Sequence, residues 1–145
     1  MTTEARHPWR QGWTQAQPGS PIYQHMPADW GAPSHEIVAR HDGRYDLATI
    51  THPGGHREHS YTFETFEDAA RAAYADVRRR NSEIRIGLLE AETAEALATC
   101  DRLHVAGELD AFNRAAVRLD TAAEALAAAR LAHNEAYPAH PLTPR

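Results

Sequence analysis

A chain of 145 residues with a formal net charge of −5 is long enough for one domain of ordinary size, or for one core with attached arms. Its 15 basic residues are all arginine, a bias that GC-rich coding explains, so their number says little about phosphate binding. Residues 34–85 carry 8 Arg against 9 acids and residues 86–137 carry 4 against 9, so neither half has the basic excess of an ordinary DNA-binding domain, and the second half repels nucleic acid by its overall field.

Residues 1–33 hold Pro8, Pro18, Pro21, Pro27 and Pro33 together with Trp9, Trp13 and Trp30. Proline at this density opposes sustained helix and central strand, which predicts an extended arm. Tryptophan is rare in plain linkers, so the arm either wraps its own globular body or presents Trp9 and Trp13 to a protein partner.

Residues 34–81 read as a sheet-plus-helix module. Strands are expected over 36–40, 45–51 and 57–64, with Asp42-Gly43 as a type I′ hairpin turn and the Pro53-Gly54-Gly55 stretch as the second reversal. Thr65 is placed to cap a helix whose apolar stripe is Phe66, Ala70, Ala73 and Val77. Asn81-Ser82 marks a weak break, but Ile84 and Leu88 continue the stripe, so one long helix through residue 88 is the alternative.

Residues 82–137 predict a helical hairpin. One stripe runs through Leu89, Ala96, Cys100 and Leu103 to Gly107, a natural position for a helix-ending glycine. The other runs Phe112, Ala115, Leu119, Ala122, Leu126, Ala129 and His133, and Pro138 stops it. Large residues alternating with alanine suit a close antiparallel pair. Residues 138–145 are expected as a flexible tail. The fold class is therefore α+β: an extended N-terminal arm, a three-stranded antiparallel sheet packed by one helix, then an antiparallel alanine-rich helical hairpin.

Three groups of residues invite a chemical reading. His52, His56 and His59, with His41 a strand away, stand where imidazoles can converge on a transition metal; the plainer reading is solvated loop histidines, since on a regular strand His56 and His59 point to opposite faces. Arg71, Arg78, Arg79 and Arg80, extended by Arg85, can contact nucleic-acid phosphates or form a solvated helix face offset by Glu67, Asp68 and Asp76. Cys100 with His104 four residues on has nucleophile–base spacing, but Cys100 lies on the apolar stripe and reads as a buried thiol.

In the order of its elements, three strands then a helix, the segment 36–80 resembles the small amino-terminal DNA-gripping domains of phage-type tyrosine integrases. The resemblance implies a nucleic-acid contact made by the sheet and first helix. No diagnostic motif accompanies it, and the segment is near charge balance where those domains are basic.

No glycine-rich phosphate loop, nucleophile elbow or Cys-x-x-Cys pair occurs, and the single cysteine precludes an intrachain disulfide. The start of the chain is polar, which points to a cytoplasmic protein with no membrane partner. These features together predict a non-catalytic protein-interaction or accessory protein without a cofactor, self-associating as a homodimer through its helical hairpin. The alternative is a nucleic-acid-binding accessory protein, and a small metal-dependent enzyme built on the histidines is a third reading.

Overall fold

The structure, a computed structural model, describes residues 8–28, 30–51 and 55–142, apart from the side chain of residue 59. The chain divides into two compact units, Met1–Arg78 and Arg79–Arg145. In the first, β1 (Trp13–Gln15), β2 (Ile22–His25), β3 (His35–Ala39), β4 (Tyr45–Thr51) and β5 (His56–Phe63) form one antiparallel sheet whose strand order follows the sequence. A short 3-10 turn, Pro8–Arg10, precedes β1. Helix α1 spans Phe66–Ala106 and helix α2 spans Leu109–Ala136.

The sheet thus has five strands where three were expected, and the additional two come from the supposed arm. The prolines stand between the strands and not inside them. Pro18 and Pro21 lie in the β1–β2 turn, where the Ala16 N–H donates to Ile22 O at 2.9 Å, and Pro27 and Pro33 lie in the β2–β3 connection. At such places a missing N–H takes nothing from the ladder.

Packing in this unit centres on Phe66, the first residue of α1. Trp13, Tyr23 and Tyr45 meet its ring edge-on at centroid distances of 5.6, 5.1 and 5.9 Å. Behind it Ile37, Leu47, Ala69, Ala70 and Ala73 form the buried cluster, and Phe63 closes one side. The small alanines let the helix settle close on the sheet. Thr65 caps α1 as its sequence position implied, its Oγ1 accepting from the Asp68 N–H at 3.1 Å.

Two local expectations change. The β3–β4 turn is a three-residue loop, His41 to Gly43: the Gly43 N–H donates to Arg40 O at 3.2 Å and the Arg40 N–H to Arg44 O at 2.8 Å. Gly43 supplies the positive φ, +86°, that such a loop needs at its last position, in place of a two-residue type I′ turn. In β5 the register shifts: Leu47 pairs with Tyr61 but Thr49 pairs with Glu58, so two residues, 59 and 60, face one residue of β4. This bulge inverts the face alternation beyond it, so that Glu58 and Tyr61 share a face although three residues separate them.

In the second unit, α1 passes through Asn81-Ser82 without a break. Neither residue is a strong helix breaker, and the Ser82 hydroxyl finds a partner in His133 Nδ1 at 2.8 Å. The helix ends where Gly107 predicts, with φ +70°; the Gly107 N–H donates to His104 O and the Glu108 N–H to Leu103 O, both at 3.1 Å, a Schellman motif. Between α1 and α2 the seam buries Ile86, Cys100, Ala115, Ala122, Leu126 and His133. Beyond Pro138 the chain folds back on α2: the Asn134 side chain accepts from the Leu142 N–H at 2.6 Å and donates to Leu142 O at 3.0 Å, and His133 Nε2 meets His140 O at 2.9 Å.

Candidate functional site

A pair of helices has one seam, and each helix keeps a face that the seam cannot cover. Along one flank of the α1–α2 seam runs a groove of about 430 Å³, its lining including Leu89 and Ala96 from α1 and Val117, Ala122 and Ala125 from α2. Its walls differ in sign. Helix α1 contributes Glu92 and Glu95, and α2 contributes Arg118. None of these three enters an ion pair among the described residues. Leu88, one turn before Glu92, is 67% exposed and Val117 is 65% exposed. An apolar floor with divided charge at its rims can bind another amphipathic helix surface.

The first unit holds a different assembly, a chain of buried polar groups. His25 Nε2 lies 3.1 Å from Gln11 O, and His25 Nδ1 lies 3.2 Å from Ser34 Oγ. Ser34 Oγ is 2.8 Å from His35 Nδ1, whose Nε2 is 2.8 Å from Asp76 Oδ2. Sheet pairing brings the two histidines together, since His25 and His35 are register partners in β2 and β3. Helix α1 then delivers Asp76. Burial, with the charge at His35 as a second cause, holds the His25 imidazole below its ordinary value, while the bond to the Gln11 carbonyl opposes the shift.

Serine, histidine and aspartate in sequence suggest an activated nucleophile, yet Ser34 is 0% exposed and His35 1% exposed. A hydroxyl that no substrate reaches, with both its flanking imidazoles engaged, organises the core and does not attack. Sequence reading passed over this chain because its members lie 9 and 41 residues apart and match no motif. The only local trace was the pair Ser34-His35, just ahead of the strand expected over 36–40. On the opposite sheet face, buried Glu36 accepts from Arg57 in a two-pronged pair whose Nη2 contact is 3.0 Å, and this pairing holds the Arg57 guanidinium above its ordinary value.

The residues singled out from sequence are placed as follows. Trp9 and Trp13 are half-buried against the core of their own unit, linked by a Trp13 Nε1–H donation to Trp9 O at 2.9 Å. That is the self-wrapping alternative. Arg10 pairs with Glu67, and the Arg71 guanidinium lies 4.5 Å over the Trp9 ring, so this segment is fastened to α1. Arg78 lies 5.7 Å over Tyr74, and Arg79 pairs with Glu83 at 2.7 Å. Arg71 and Arg78 share one side of α1, but Arg79 and Arg80 sit about 100° and 200° further round, so the four do not make one row. His52 and the His59 side chain lie outside the described residues, and His56 is exposed at the start of β5. Among the described residues no three metal-ligating side chains come together. Cys100 is buried, as its stripe position indicates, and the His104 ring packs on Phe112 at 5.5 Å. Among the described residues no helix is long and apolar enough to cross a membrane.

No protein-family model, no curated protein and no solved structure matches the chain.

Proposed function

We propose that this chain is a non-catalytic interaction protein that self-associates as a two-fold dimer through the groove face of its helical pair. The observation that carries the reading is the charge-divided groove, with Glu92 and Glu95 on one wall, Arg118 on the other, and no ion pair satisfying them. A two-fold axis parallel to the helices sets each wall of one copy against the opposite wall of the other, so the same three residues complete two equivalent sets of contacts.

The dimensions support it. The 28 residues of α2 make a face about 42 Å long, and two helices side by side are about 20 Å wide. The product, roughly 800 Å², is what each partner of a standard interface contributes. Leu88 and Val117 then supply apolar contacts that the isolated chain leaves in water.

Light scattering across a concentration series tests the reading. The expected particle is twice the 16.1 kDa chain, and Val117→Glu is expected to yield a monomer with unchanged helix content. A wild-type monomer at every concentration contradicts the proposal, and so does a Val117→Glu variant that remains dimeric.

A further inference from the structure

Residues 138–142 leave α2 and return along it. Pro138 and Ala139 form the centre of a β-turn in which the His140 N–H donates to Tyr137 O at 2.9 Å. Three bonds hold the returning segment. His133 Nε2 donates to His140 O at 2.9 Å, the Asn134 carboxamide nitrogen donates to Leu142 O at 3.0 Å, and the carboxamide oxygen accepts from the Leu142 N–H at 2.6 Å. All three end on backbone atoms of the segment. None satisfies a carbonyl of α2, so they are no part of the helix's own termination.

We infer that His133 and Asn134 form a clamp for an extended peptide segment of the type Xaa-Pro-Xaa, filled here by the chain's own His140-Pro141-Leu142 and open to an equivalent segment of another protein. The Asn134 carboxamide meets both the N–H and the C=O of one residue, as a residue of a neighbouring antiparallel strand does. A side chain thus stands in for a strand edge. Its neighbour is held firmly: His133 is 1% exposed, the Ser82 hydroxyl stands 2.8 Å from its Nδ1, and the Tyr137 ring lies 5.0 Å from the imidazole.

The clamp engages the carbonyl of the first residue and both polar groups of the third, and nothing of the second. Proline suits that middle place. It has no N–H to lose, and it holds itself and the residue before it extended, so the segment arrives already in shape. Side chains are read little, since His140 and Pro141 are exposed and Leu142 is half-buried. The clamp is separate from the groove, whose last lining residue on α2 is Ala125.

The probe is the peptide Ala-His-Pro-Leu-Thr, acetylated and amidated, which repeats residues 139–143. It is titrated into the ¹⁵N-labelled 145-residue chain while NMR follows the backbone amides of residues 133–135. Leu142→Pro removes the N–H that the tail offers to Asn134 and alters neither clamp residue. This variant is expected to bind the peptide saturably, with a dissociation constant of roughly 5 mM, the scale of three neutral hydrogen bonds. The wild-type chain is expected to bind it at least about threefold more weakly, because the tethered tail competes at a millimolar effective concentration. A peptide N-methylated at its leucine should not bind. Asn134→Asp cannot donate to a carbonyl and should lose binding with helix content unchanged. No saturable shift with Leu142→Pro, equal affinity for wild type and Leu142→Pro, or undiminished binding by the N-methylated peptide or by Asn134→Asp would each overturn the inference. So would a concentration-dependent shift of the wild-type chain alone that Leu142→Pro abolishes, which would assign the clamp to tail exchange between two copies.

Discussion

Burial holds the His25 imidazole below its ordinary value of 6.5, and the sign of the resulting pH dependence follows directly. Above pH 6.5 the folded and unfolded chains both carry neutral His25, and its contribution to stability is fully present. As pH falls through 6.5 the unfolded chain takes up a proton that the folded chain refuses, so stability is lost on acidification. The urea midpoint is expected to fall between pH 7.5 and pH 5.5, with this one site contributing at most about 1.4 kcal/mol per pH unit. His25→Gln should flatten that slope, and a variant slope equal to wild type would refute the assignment. At this scale the sequence was least legible. Ten histidines are scattered along the chain, and only strand register shows that His25 and His35 are neighbours while His104 and His133 serve the helical pair.

Among the elements, those with strong local chemistry were readable in advance. Thr65 capping α1, the strands at 36–40, 45–51 and 57–64, Gly107 ending α1 and Pro138 beyond α2 each rest on a nearest-neighbour rule, and each lies within a residue or two of its expected place. Strands β1 and β2 did not show, because three- and four-residue strands are shorter than the alternation that would reveal them. The continuity of α1 was undecided in sequence because Asn81-Ser82 costs little in a helix, and long-range contacts such as Ser82–His133 settle it. Gly107 has the clearest element-scale consequence. Its φ of +70° is one that a Cβ opposes, while nothing lies within 4 Å of where that Cβ would be. Gly107→Ala is therefore expected to cost about 1–2 kcal/mol from backbone strain alone, measured by chemical denaturation. A cost near zero would mean that the α1–α2 turn does not hold this conformation.

Over the whole molecule, the two units use charge differently. The first ties its ionic groups into pairs, Arg10–Glu67, Glu36–Arg57 and His35–Asp76, which fasten strands and helix to one another. The second pairs Arg79 with Glu83 and Arg130 with Glu90, but among the described residues leaves Glu92, Glu95 and Arg118 without an ion pair around an apolar groove. Those three unpaired charges are the basis for assigning the interaction surface to the helical pair. A charge exchange across the two-fold axis tests the assignment most directly. Glu92→Arg with Glu95→Arg in one chain, and Arg118→Glu in another, each place like charges across the interface and should each sediment as monomers. Mixed, they restore attraction at both equivalent contacts. Sedimentation velocity of the equimolar mixture is predicted to show a dimer that neither variant forms alone, while two variants that stay monomeric when mixed, or that dimerise separately, would contradict the account.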